Sequence, residues 1–119
     1  MITIDAHHHL WDPATGDLLW LDAAEMAPIR RRYDIEELRP LLDATGVDRT
    51  IVVEARSCTA ETAEPLALTT SPSSPIAGMV GRLDLTAPDG ADAVARSREL
   101  PGGGALVGFR HQVCSRAAA

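Results

Sequence analysis

Lysine is absent from the 119-residue chain, and all 11 basic residues are arginine. Within this chain, that excludes Schiff-base catalysis on lysine, a P-loop lysine and a lysine-derived metal bridge. Cysteine is nearly absent as well: Cys58 and Cys114 form no CxxC pair. They fit reduced thiols in a cytoplasmic protein better than a disulfide frame, with a Cys58–Cys114 bridge left open. No apolar run approaches the roughly 20 residues that a membrane helix needs, so no membrane partner is expected. Residues 1–5 carry no basic region, and Asp5 with three histidines breaks the apolar stretch, which is unlike a secretory signal. Lysine plus arginine at 11 against aspartate plus glutamate at 17 leaves a formal charge of −6, which argues against nucleic acid as a partner. No GxGxxG follows the first predicted strand, so a dinucleotide fold lacks its main marker.

What is present is the mixture of a globular chain, with 45% hydrophobic and 24% charged residues. The length allows one ordinary domain or a piece of a larger one. Residues 1–5 predict a short strand, and residues 12–32, with Pro13, Gly16 and Pro28, predict a long loop. Asp34, followed three residues later by Glu37, opens a helix whose stripe is Ile35, Leu38, Leu41 and Leu42 and whose stop is Gly46. The β-branched run in residues 50–55 predicts a strand buried on both faces. A weaker helix over 59–68 ends at the Ser/Pro-rich break 71–75. Residues 76–83 predict a third strand, 89–100 a third helix and 105–110 a fourth strand. The fold class is therefore α/β, with parallel βα repeats joined by right-handed crossovers. Four strands in one layer leave both edges open, so self-association through those edges is expected.

The sharpest chemical feature is His7-His8-His9 at the exit of the first strand. In extended backbone, residues two apart point the same way, so His7 and His9 can aim two imidazoles at one divalent, zinc-like ion. A catalytic metal site needs further ligands from elsewhere; the bland alternative is a solvated histidine cluster. Glu54, at the end of the second strand, could orient a substrate hydroxyl or be an exposed loop acid. Arg110 could bind a carbonyl or carboxylate with its planar fork, or pair with Asp84 or Glu54. His111 could polarise a carbonyl or move a proton. Trp11 and Trp20 could wall a sugar-sized pocket or simply pack the long loop. Arg30-Arg31-Arg32 reads as a solvated turn, and Asp5 as support for the strand end.

The run Ile4-Asp5-Ala6-His7-His8-His9-Leu10-Trp11 resembles the opening of the amidohydrolase superfamily. More closely it resembles the sugar-lactonase-like branch, which typically opens with Ile-Asp-Ala-His-x-His-x-Trp. Trp20-Leu21 with Ala27-Pro28-Ile29-Arg30-Arg31 resembles that branch's first loop, and Gly46 to Val53 its second strand. Gly78 to Leu85, and Val107-Gly108-Phe109-Arg110-His111-Gln112, resemble its third and fourth strands. The likeness covers about residues 2–113, and no single stretch is as telling as their order and spacing.

The resemblance implies a (β/α)8 barrel hydrolase acting on a lactone, of which this chain supplies about four strands. Residues 1–113 would form the N-terminal half of that barrel, and 114–119 an unpatterned tail. His7 and His9 match the metal-binding HxH pair, and Arg110 and His111 the Arg-His after the fourth strand, as catalytic residues. Trp11, Glu54 and Arg110 are the expected substrate-binding residues, with catalysis at the C-terminal ends of the strands. Four departures stand out. A full barrel needs about 250 residues. The branch's later histidine and its water-activating aspartate have no counterpart in this chain. Glu54 stands where relatives often carry Gln, and the 71–75 break and the tail leave the pattern. Little or no lactonase activity is therefore expected of this polypeptide alone. The alternatives are a decarboxylase or other hydrolase of the same superfamily, or a non-catalytic fragment.

Overall fold

The computed structural model describes residues 1–15, 18–55 and 62–111. Cys58, Cys114, Gln112 and the predicted tail lie outside the described residues. The elements are β1 (Ile4–His8), α1 (Ile35–Thr45), β2 (Arg49–Val53), α2 (Ala63–Ala67), β3 (Ile76–Arg82), α3 (Gly90–Arg98) and β4 (Leu106–Arg110). The strands form one sheet in the order β1-β2-β3-β4, and every neighbouring pair is parallel. Sequential order with a helix after each of the first three strands is the winding of a (β/α)8 barrel segment.

Local chemistry explains most boundaries. The Asp34 carboxylate accepts the Glu37 N–H at 2.9 Å and so caps α1. Gly46 ends that helix at φ 73°, a left-handed backbone in which a side chain would be strained. Pro40 sits inside α1 on its exposed side and removes one ladder hydrogen bond, so the helix relies on burial of Ile35 and Leu42. Residues 12–32 are less irregular than the sequence suggests, because 3-10 turns cover Pro13–Thr15, Leu19–Asp22 and Ala24–Ile29. Arg30 is exposed, as a solvated turn residue would be, and its guanidinium also ties the loop by donating to the Leu21 carbonyl at 2.7 Å and the Ala23 carbonyl at 3.0 Å. Arg31 forks onto Glu37 at 2.7 and 2.9 Å and lies 3.7 Å over the Tyr33 ring.

The core lies between the sheet and its helices. Ile35, Val52, Leu66, Ile76, Met79 and Leu106 form one buried cluster, joined by Leu10, Leu100 and Phe109. This is the outer face of the sheet. The inner face carries Ile51, Val53, Gly78, Val80 and Val107, and Val107 is 63% exposed there. A second, smaller cluster of Leu18, Leu21 and Ala55 packs the long loop over the end of β2.

The first strand begins at Ile4 rather than at Met1, and it runs on through His8. Its ladder slips by one residue: Asp5 faces Thr50 while His8 faces Val52, so three steps on β1 match two on β2. The Asp5 carboxylate accepts the His7 N–H at 3.0 Å inside this bulge. A one-residue slip inverts the facing of every later side chain. With Asp5 on the outer face beside Thr50, regular alternation would turn His7 outward as well. The bulge instead turns His8 outward and sends His7 and His9 inward.

Candidate active site

The inward pair is close. His7 Nε2 and His9 Nε2 are 3.3 Å apart, with the two rings meeting edge to face at 5.0 Å. His9 Nδ1 lies 2.9 Å from the Val53 carbonyl oxygen, an acceptor only, so Nδ1 carries the proton and Nε2 keeps its lone pair. Two nitrogens bound to one tetrahedral ion at about 2.0–2.1 Å stand about 3.3 Å apart, so the pair matches the bite of such an ion. A backbone carbonyl holding the second ring nitrogen is the usual support of a ligating imidazole. Among the described residues, no group of three or more His, Cys, Asp or Glu side chains is placed to hold a metal.

Burial pushes His9 below its ordinary pKa against the pull of the Val53 carbonyl, and the charges of His7 and Arg110 lower it further. Arg110 is therefore near enough to be felt at the histidine pair. Its Nη1 donates to the backbone carbonyl of Glu54 at 3.5 Å. His8 faces the helices, 2.9 Å from the hydroxyl of fully buried Thr50. Burial lowers its pKa too, opposed by Asp5.

Two predicted residues sit elsewhere. His111 follows Arg110 directly, so the two face opposite sides. Its Nδ1 accepts the Leu85 N–H at 3.2 Å and lies 3.6 Å from Asp84, which places the ring over the loop after β3. Glu54 is not an exposed loop acid, being 3% exposed, and its Oε1 accepts the Ala55 N–H at 2.9 Å. Next to inward-facing Val53 it must face outward. There it lines a cleft of about 220 Å³ together with Trp11, Leu10, Tyr33, Pro65 and Leu68.

Three of the four aromatic residues cluster beside that cleft, of which Trp11 and Tyr33 line it. Trp11 meets Tyr33 at 4.9 Å and Trp20 at 5.3 Å between ring centroids, and it lies 6.4 Å from His9. Trp11 donates to the Ile29 carbonyl and Trp20 to the Ala55 carbonyl, both at 3.3 Å. Trp11 thus packs the loop and walls the cleft at once, while Trp20 packs against Trp11 outside the cleft lining. Tyr33 was not singled out from sequence; its signal was the scarcity of other rings. Trp11 and Tyr33 also exchange backbone hydrogen bonds, at 3.2 and 2.8 Å, which closes the long loop on itself.

Comparison with known proteins bears on this geometry. The family model described as Amidohydrolase matches residues 4–117. An L-fucono-1,5-lactonase from Burkholderia multivorans is 38% identical over 94% of this chain and 36% of its own length. Another L-fucono-1,5-lactonase, from Burkholderia ambifaria, is 38% identical over 81% of this chain and 33% of its own. A crystal structure of a Burkholderia multivorans amidohydrolase with bound zinc superposes with a TM-score of 0.79 at 38% identity, covering 94% of this chain and 37% of that one. Amidohydrolase 2 from Bifidobacterium longum subsp. infantis superposes at 0.53 with 27% identity, covering 69% of this chain and 32% of that one. The chain spans about a third of the length of the curated relatives it matches. With a match running through nearly all of its length, the chain belongs to the amidohydrolase family.

Proposed function

We propose that this chain forms part of a barrel hydrolase that opens a sugar lactone or similar small cyclic ester, with His7 and His9 as two ligands of a divalent, zinc-like ion. The observation that carries the reading is the pair of Nε2 atoms 3.3 Å apart, one fixed in its tautomer by the Val53 carbonyl. The zinc in the amidohydrolase of Burkholderia multivorans and the lactonase relatives support the same reading. Such an ion supplies Lewis-acid polarisation of a carbonyl.

The chain's own residues would do the rest of the positioning. His9 keeps a lone pair free because its proton is tied to Val53. Arg110 offers a guanidinium to an oxygen that gains negative charge as water attacks. Trp11 and Tyr33 wall the neighbouring cleft with apolar surface suited to the face of a sugar ring. Activation of water needs an acid or base beyond these groups, so this polypeptide alone is expected to turn over little or no lactone.

Equilibrium dialysis against zinc tests the proposal. The wild-type chain should bind the ion, and His7→Ala and His9→Ala should lose it with circular dichroism unchanged. A folded wild-type chain that binds no zinc contradicts the reading, as does lactone turnover at the rate of an intact enzyme.

A further inference from the structure

Neither the histidine pair nor the aromatic cleft uses Arg82. It is the last residue of β3, and its Cα partner across the ladder is Arg110, the last residue of β4. Met79 belongs to the outer core, and a Cβ on Gly81 would meet Thr62, Phe109 and Leu106 on that same side. Alternation therefore sends Val80 and Arg82 to the inner face. Arg110 shares that face, because it is paired with Arg82 while Phe109, one residue earlier, packs on the outer core. Two arginines thus leave the same face from paired positions where the strands end.

Like charges at neighbouring positions repel, and burial raises the cost. The Arg82 Nε and Nη1 atoms are buried and have no hydrogen-bond partner among the described residues. Arg110 has only its long bond to the Glu54 carbonyl there. Thr62 Oγ1 accepts the backbone N–H of Arg82 at 3.2 Å, which fixes the strand end without touching the guanidinium. Among the described residues, these charged donors thus meet almost no acceptor. A carboxylate matches that arrangement, because its two oxygens accept from planar guanidinium forks.

We infer that Arg82 and Arg110 form a carboxylate-binding subsite that holds the sugar acid formed when a lactone ring opens. The identity of the acid rests on the proposed lactone chemistry; the anion subsite rests on the arginines. In that opening, the water oxygen bonds to the carbonyl carbon and the ring C–O bond breaks. The ring oxygen takes up a proton, and the new acid releases one to solvent. A neutral substrate becomes an anion, so the arginine pair favours product over substrate.

The test titrates the purified chain with gluconate, a six-carbon sugar acid, and with sorbitol as its neutral counterpart. Gluconate should raise Tm and sorbitol should not. Arg82→Met should weaken gluconate binding about tenfold or more, as expected for a lost charge-assisted hydrogen bond. The ligand-free Tm of Arg82→Met should stay level or rise, because an unpaired buried charge has been removed. Arg82→Lys, which keeps the charge, should retain part of the binding. The subsite is overturned if the folded wild-type chain ignores gluconate, if sorbitol binds equally, or if Arg82→Met binds as before. It is also overturned if both variants lower the ligand-free Tm, the mark of a purely structural arginine. Gluconate capture without zinc binding at His7 and His9 would keep the subsite and remove the hydrolase reading. Zinc binding without gluconate capture would do the reverse.

Discussion

The two faces of the sheet divide the labour. On the outer face, Val52 and Met79 are at most 1% exposed, and the helix layer, with fully buried Leu66 of α2, covers them. On the inner face, Val107 is 63% and Ile4 51% exposed, and the same strands carry His7, His9, Arg82 and Arg110 toward their C-terminal ends. One backbone thus serves two purposes with residues one position apart. Apolar burial stabilises the side that packs on helices. The other side is free to hold charged and ligating groups that would be costly in a core.

The sharpest way to break this comparison is truncation on each face. Met79→Ala should cost about 2–5 kcal/mol, the range for emptying a well-packed core site, read from chemical denaturation. A loss near zero would mean that the helix layer is not what holds the sheet. Thr50→Val keeps volume but removes the hydroxyl next to His8 Nε2, so it should cost about 1–3 kcal/mol through an unsatisfied buried imidazole nitrogen.

Solution pH provides a gentler probe of the same strand. Burial lowers the pKa of both His8 and His9 in the folded chain, so the unfolded chain binds protons more readily. Their stabilising contribution is complete above the unfolded value of about 6.5 and is lost as pH falls through the lower folded values. The Tm of the metal-free chain should therefore drop from pH 7.5 to 5.5, and His8→Gln should flatten the drop. A Tm that rises over that interval contradicts the assignment. The smallest effect is expected at Val107→Ser, within about 0.5 kcal/mol of wild type because the side chain is exposed.

Much of the outer face was legible in the sequence. The Asp34–Glu37 cap, the Gly46 stop and the β-branched run ending at Val53 are local signals, and the structure keeps each of them. The inner face was legible only in part. Spacing alone put His7 and His9 on one side, but which side depends on the bulge between Asp5 and His8, a pairing property that one strand cannot reveal. Arg110 and His111 read as a unit in the sequence, yet adjacent strand residues face opposite ways, and His111 ends beside Asp84. Glu54 follows the same parity rule and turns toward the helices. Arg82 escaped notice because nothing about a lone arginine announces that its neighbour across the sheet is another one.

The central claim is that the β1 bulge turns His7 and His9 inward as a ligating pair while His8 is tied to Thr50. Long-range 1H–15N correlation of the histidine rings, with and without zinc, tests it most directly. The account predicts that His9 is protonated on Nδ1 and that zinc shifts the Nε2 signals of His7 and His9 while leaving His8 in place. A His9 protonated on Nε2, or a zinc response centred on His8, would contradict it.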